Sequence, residues 1–417
     1  MSATRSFNYL WFMNKEFDVV IVGGGMVGAT VGCCLGGSNL QVAVIEKMLP
    51  EAFIADQPHD LRVSALSIAS KTILELIGAW KGVLNRRFCP FRRMRVWETA
   101  GDTEFNCEDI KRDELGFIVE NRIIQLALLD QLATFDNVGI MAPASINAIH
   151  YHPSQPTVLT LADGREITAK VLVAADGGGS RVRQAVNLGV SSKDYNQHAM
   201  VVYIETDYAQ QDITWQRFVS SGPQAFLPLT GNFASLVWYN AADEIRRLKS
   251  LSNEELMQAL TTTFPECLGK IKQVLGVASF PLKRQHAQHY VKPGVVLVGD
   301  AAHMINPLAG QGVNIGLLDA AALAEVLIEA HDEGEDIADL AVLKRYEKMR
   351  RNENLKMMVV MDAFYRVFSN DVLPLKFIRN LGLGFAERVA PAKHKVMRMA
   401  IGIDGKLPKL ARGEPLL

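Results

Sequence analysis

Short hydrophobic runs, each stopped by glycine or an acid, divide this chain. Phe17–Val22 stops at Gly23, Gln41–Ile45 at Glu46, the run from Val171 at Asp176-Gly177, and Val295–Val298 at Gly299-Asp300. Nearly unbroken apolar character over so few residues predicts strands buried on both faces, as in a parallel sheet covered by helices. Apolar residues recur at helical spacing in Lys71–Leu84 (Ile73, Leu74, Ile77, Trp80, Leu84), in Ile123–Leu132 and in Leu251–Phe264, which predicts helices there. Between 198 and 240 the pattern changes. Short β-rich stretches, Met200–Glu205, Trp215–Val219, Phe226–Leu227 and Ser235–Tyr239, are broken by Gly, Pro and Asn, as expected of an antiparallel sheet.

The stops carry chemistry. After the first strand, Gly23-x-Gly25-x-x-Gly28 opens a helix of small residues. Gly23 permits a tight turn, Gly25 admits a pyrophosphate and Gly28 lets helix and strand approach closely. Glu46, eighteen residues beyond Gly28 and at the end of the second strand, is placed to hold ribose hydroxyls. A third strand ends in Asp176-Gly177-Gly178-Gly179-Ser180, with Arg181 and Arg183 following. The fourth ends at Gly299-Asp300, followed by Pro307 and by Gly310-Gln311-Gly312-Val313-Asn314 at the start of a helical pattern. Glycines there let backbone N–H groups approach a ligand, and a helix N-terminus favours anionic groups. Asp300 sits where it can accept a hydrogen bond from a sugar hydroxyl.

With these three fingerprints in this order, the chain resembles the flavin-dependent aromatic hydroxylases, the group A flavoprotein monooxygenases. A finer resemblance reaches their ubiquinone-biosynthesis (UbiH/UbiF) branch. It rests on Asp60-Leu61-Arg62-Val63-Ser64-Ala65-Leu66-Ser67, Val119-Glu120-Asn121-Arg122, Gly299-Asp300-Ala301-Ala302-His303, Asn306 to Asn314, and Asn380-Leu381-Gly382-Leu383. Similarity over Trp215–Phe218, Gly222–Leu229 and Ala234–Tyr239 points to the branch members that hydroxylate a methoxylated benzoquinol. The resemblance implies FAD as cofactor and NAD(P)H and oxygen as co-substrates. It also implies ring hydroxylation of a polyprenylated benzoquinol through a flavin C4a-hydroperoxide, and association with other enzymes of the pathway.

The implied fold class is α/β: a Rossmann-like, p-hydroxybenzoate hydroxylase-like FAD-binding domain with an inserted antiparallel-sheet substrate domain and a helical C-terminus. At 417 residues the chain exceeds the usual reach of one core. Its expected division is 13–78, 110–190 and 284–335 for FAD, 79–109 and 191–283 for substrate, and 336–417 for the helical C-terminal region. Residues 1–12 are expected to form a flexible extension.

A net charge of −1 gives no general attraction to nucleic acid. Five cysteines without a CxxC pair fit reduced thiols rather than a disulfide frame or a metal site, hence a cytoplasmic protein. From Asp371 to Leu417, nine Lys/Arg stand against four Asp/Glu among apolar residues. That stretch suits either helices packed on the FAD domain or peripheral contact with the inner face of a membrane.

Arg62, Arg122, Gln125 and Arg183 are expected at the cofactor, beside Gly23, Gly25, Gly28, Glu46, Asp176, Gly299, Asp300, Pro307, Gly310, Gln311, Gly312, Val313 and Asn314. Phe226, Leu227, Pro228 and Trp238 are candidates for the substrate wall, with plain core packing as the other reading. His303 and Pro307 are the candidate catalytic residues, and for His303 a hydrogen-bonded packing role competes. Three other activities compete with the benzoquinol reading. They are hydroxylation at another ring position, isoprenoid reduction, and ligand binding without catalysis; intact phosphate-loop glycines speak against the last.

Overall fold

The computed structural model describes residues 15–98, 101–265, 269–306, 311–368, 402 and 404–417. The four apolar runs lie side by side with one more strand, in the order Val295–Leu297, Glu166–Ala174, Glu16–Val22, Val42–Ile45, Val138–Met141, all parallel. Val19–Ile21, Val42–Val44, Val171–Ala174 and Val295–Val298 are completely buried, which is what uninterrupted apolar strands need. An antiparallel strand, Val291–Lys292, closes one edge, and the hairpin Ile146–His152/Gln155–Leu161 pairs onto the start of Glu166–Ala174. Register pairs Val22 with both Ala174 and Ile45, and Ala174 with Leu297. The turns after these strands therefore leave the sheet along one edge.

Helix Met26–Leu35 packs against both Asn121–Leu132 and Gln311–Asp332 beside this sheet. The first comes close because its glycines lack side chains. A Cβ on Gly28 would lie 1.9 Å from the Gly23 carbonyl oxygen, and one on Gly32 would lie 2.8 Å from the Leu132 side chain. Cys33 and Cys34 are buried in the same helix, where burial pushes both thiols well above their usual pKa. They pack and do not react.

The second sheet contains eight strands among the described residues. Its centre is two long antiparallel strands, Val190–Thr206 and Ile271–Ala287, where the sequence pattern had marked only Met200–Glu205. Phe233–Ala241, Gly222–Pro228 and Ile213–Val219 follow in meander order, and Arg93–Trp97 and Asp102–Asn106 complete the far edge. The expected helix Lys71–Leu84 is instead two helices, Ile68–Leu76 and Trp80–Leu84. Gly78 between them has φ +82°, a left-handed conformation that ends the first helix. A small sheet, Val63–Ser67, Gly116–Glu120 and Cys89–Phe91, links the two larger ones.

Of the basic C-terminal stretch, residues 371–401 and 403 lie outside the described residues. Further on, Leu410 and Ala411 are buried in the main core, and the Lys409 amide donates to Glu325 at 2.7 Å. That portion packs on helix Gln311–Asp332. No helix among the described residues is long and apolar enough to cross a membrane.

One face of the second sheet carries helices Ala242–Lys249 and Asn253–Thr263, and its core is aromatic. Trp215 stacks on Phe226 with ring centroids 5.8 Å apart, and Trp238 meets Phe264 edge-on at 5.6 Å. Replacing Phe226 with Ala leaves a ring-sized hole in this core and is expected to cost about 3–5 kcal/mol. Denaturant unfolding of wild type and variant checks this; a cost below about 1 kcal/mol contradicts the packing described.

Candidate active site

A cleft of about 700 Å³ opens between the glycine-rich edge of the parallel sheet and the second face of the antiparallel sheet. Its nucleotide-side wall is built from strand ends. Gly23 turns with φ +104°, and a Cβ there would lie 2.4 Å from the Ala175 carbonyl oxygen, so the first turn is locked against the second motif. Glu46 reaches back to the same turn. One carboxylate oxygen accepts from the Gly24 amide at 2.6 Å and the other from Met48 at 2.9 Å. Gln125 donates to the Gly24 carbonyl at 2.8 Å, so it holds the turn and does not line the cleft.

The geometry fits a dinucleotide. A Cβ on Gly25, Gly177, Gly179 or Gly312 would meet nothing within 4 Å, so open space remains where each glycine faces outward. Asp176 accepts from the Arg181 and Val182 amides through Oδ2 (2.7 and 3.3 Å), capping the short helix Arg181–Ala185. Its Oδ1 is buried without a partner, an acceptor left for a ligand hydroxyl. Asp300 lines the cleft with its side chain exposed to it. The protein crowded around the carboxyl raises its pKa, and the charges of His303 and Arg62 pull it back. Arg62 lines the cleft, as do Gly177, Gly312 and Val313.

Other expected cofactor contacts are engaged elsewhere. Arg122 forks onto Asp60 with two 2.9 Å bonds and braces the loop that carries Leu61 and Arg62 into the cleft. Arg183 is buried and donates to the carbonyls of Ala301 (2.7 Å) and Gly178 (2.8 Å). It therefore ties the second motif to the third and does not project a charge toward phosphates. The Asn314 side chain is also internal. It accepts from the Ser67 amide and the Ser70 hydroxyl at 2.9 and 2.7 Å and donates to the Ala65 carbonyl at 2.9 Å. Gly299 has φ +56°, and its position is set by Val27, 3.1 Å from where a Cβ would be. Pro307, Gly310 and the Gln311 side chain lie outside the described residues.

His303 belongs to a short strand behind the cleft lining. It lies in a two-residue strand with Met304 that pairs with Gln285–His286, and its ring is buried with Nε2 2.5 Å from Asp319. Met304 and Ile305 line the cleft, but His303 faces the other way. The packing reading holds for it.

The opposite wall follows from strand alternation and corrects the substrate-wall candidates. In register across the sheet, one row reads Gln216, Ala225, Val237, Val201, Ala278. All five line the cleft, and so do Pro223, Leu227, Ser235 and Tyr239. Phe226, Pro228 and Trp238 occupy the alternate positions and point to the helix-covered side. Leu227 alone of the four candidates faces the cleft. The central wall is made of small side chains, leaving room for a flat ring, with Gln216 as a polar group among them. Sequence reasoning passed over Gln216, Ala225 and Val237. Their period-2 spacing marked a face, but nothing in the pattern told which face the helices would cover.

Comparison with known proteins gives this geometry its relatives. The FAD binding domain family matches residues 144–359. The chain is 42% identical over 391 residues to the 3-demethoxyubiquinol 3-hydroxylase of Escherichia coli, covering 94% of this chain and all of that protein. It is 37% identical to the ubiquinone hydroxylase UbiL of Rhodospirillum rubrum, covering 97% and 94%. In fold it is similar to PqsL, a probable FAD-dependent monooxygenase from Pseudomonas aeruginosa. The TM-score is 0.76 at 22% identity, covering 89% of this chain and all of that one.

Two glycines separate ligand contact from packing. Gly25→Ala is expected to leave the flavin-free protein within about 0.5 kcal/mol of wild type while weakening FAD binding about tenfold or more, since the new methyl enters the cradle. Gly28→Ala is expected to cost about 1–3 kcal/mol of stability as well, by overpacking. Thermal melts and FAD titration check both; a Gly25→Ala protein with normal FAD affinity contradicts the cradle. Burial, aided by Arg87 at His59 and by Arg351 at His286, holds both imidazoles at about 4. The unfolded chain takes up these protons near pH 6.5 and the folded protein resists, so stability is complete above about 6.5 and is lost on descent toward 4. Melting temperatures across that window should fall, and His286→Gln should make the fall shallower.

Proposed function

The chain belongs to the FAD-dependent ubiquinone-biosynthesis hydroxylases, aromatic ring monooxygenases, and on that footing we propose that its substrate is a polyprenylated, methoxylated benzoquinol. The observation that carries this is 42% identity along the whole length of a relative named for 3-hydroxylation of demethoxyubiquinol. A cleft with phosphate-loop glycines at one wall and a small-residue apolar sheet at the other supports it.

In this reading Gly25 admits the pyrophosphate while Gly23 makes the turn and Gly28 lets the helix approach the strand, Glu46 and Asp300 hold hydroxyls, and Arg62 balances the phosphate charge. Gly312 and Val313 line the cleft at the start of helix Gln311–Asp332, and their backbone N–H groups would favour negative charge on a bound flavin. FAD, reduced by NAD(P)H, supplies the activation of oxygen. The chain's own contribution is orientation and dryness. Ala225, Val237, Val201 and Ala278 present a low wall against which a quinol ring can lie flat, and Leu227 and Leu61 close it off from water. Gln216 offers an amide to a ring oxygen. A quinol is already electron-rich, so no side-chain base is required to activate it, in keeping with a His303 that faces away from the cleft.

Purified FAD-loaded protein given NAD(P)H, a short-chain methoxylated quinol and ¹⁸O₂ should return one labelled ring hydroxyl per turnover. NAD(P)H consumption with a saturated, unlabelled product would replace this reading with an isoprenoid reductase. Ala225→Phe places a ring on the wall. It is expected to lower kcat/KM for the quinol about a hundredfold, about 2.7 kcal/mol, with FAD content unchanged. Normal turnover of the quinol by that variant would move the substrate to another surface.

A further inference from the structure

Behind the cleft, one carboxylate gathers an unusual set of donors. Asp319, on helix Gln311–Asp332, is completely buried. Its Oδ2 accepts from His303 Nε2 at 2.5 Å and from the Gly299 amide at 3.2 Å. Its Oδ1 accepts from Arg350 Nε and Asn354 Nδ2, each at 2.9 Å. Arg350 also donates to Asn354 at 2.7 Å, so the two residues from helix Leu340–Phe368 form a rigid pair on one side of the carboxylate.

Gly299 and His303 are the two ends of the turn that contains Asp300. The same oxygen grips both ends. Gly299 is held there in a left-handed conformation, φ +56°. The Ala301 carbonyl in the middle is held from another direction by Arg183. We propose that Asp319 is a positioning residue for the cofactor: by pinning residues 299 and 303 together it fixes where Asp300 presents its carboxylate to the cleft. His303 is the second member of this device, and Arg350 and Asn354 keep the Asp319 carboxylate turned toward the turn. The inference rests on the reading that Asp300 holds FAD.

A buried carboxylate kept only for stability could be exchanged for apolar packing at little cost. Here the lone pairs are aimed at the two donors that flank a cleft residue. Burial opposes ionisation of Asp319, but His303 and Arg350 outweigh it and hold the carboxyl at about 2.

The test titrates flavin-stripped wild type, Asp319→Asn, His303→Gln, His303→Leu and Asp300→Ala with FAD and records melting without FAD. Gln at 303 keeps a donor at the reach of Nε2, and Leu does not. Asp319→Asn and His303→Leu are expected to raise the FAD dissociation constant about tenfold or more, with His303→Gln remaining near wild type. Wild-type FAD affinity in His303→Leu, or equal weakening in His303→Leu and His303→Gln, overturns the proposal even if Asp319→Asn does not fold. Asp300→Ala weakened while Asp319→Asn and His303→Leu bind normally overturns the proposal alone. Normal affinity in Asp300→Ala removes the underlying reading of Asp300 together with it.

Discussion

Three strands must end at the same edge for this protein to have a site at all. Glu16–Val22, Glu166–Ala174 and Val295–Leu297 are separated by well over a hundred residues each, yet parallel pairing sets Val22, Ala174 and Leu297 within neighbouring positions of one ladder. Every turn that faces the cleft then inherits its place from that register. The strand interiors are completely buried on both faces, so a slip of one residue would exchange the side chains packed on the two faces and require both layers to repack. Cross-links between the turns finish the job: Gly23 against Ala175, Arg183 onto Ala301, Gln125 onto Gly24.

This division of labour explains why several charged or polar residues near the motifs do not face the ligand space. Arg122, Arg183 and Asn314 satisfy backbone carbonyls, amides or a loop carboxylate that would otherwise lie unpaired in a desolvated region. The helix Leu340–Phe368 extends the same logic across the molecule. Toward its middle Arg350 and Asn354 engage Asp319, and about three turns on from Arg350 Asp362 takes Arg284 and Tyr195 of the antiparallel sheet. One rod is thus anchored to both halves that form the cleft.

The fold and the glycine-rich edge of the cleft were legible in the sequence because their signals are local. A short apolar run stopped by glycine is a strand and a turn wherever it occurs, and Gly23, Gly25 and Gly28 each state a steric requirement that the structure meets. The substrate wall was not legible in the same way. Phe226 and Trp238 are the bulkiest residues of their strands and so attract attention as ring partners, whereas the cleft is lined by Ala225 and Val237. Choosing between two faces of an alternating strand requires knowing where helices Ala242–Lys249 and Asn253–Thr263 will pack, which is a long-range fact. For His303 the hydrogen-bonded packing role was legible, but its partner was not. Its partner Asp319 lies sixteen residues on, and only the fold brings the two together.

The two faces of the antiparallel sheet also separate two kinds of inheritance. Pro223, Ala225 and Leu227 of strand Gly222–Pro228 meet the ligand space, and Phe226 between them meets the aromatic core. Neighbours along one strand thus answer to different pressures, one to what is accepted and one to whether the chain folds. A descendant of this protein can exchange Ala225, Val237 or Gln216 for a new ring shape while the scaffold beneath stays as it was. Such a sheet lets a single architecture diversify among chemically related acceptors without reinventing its foundation.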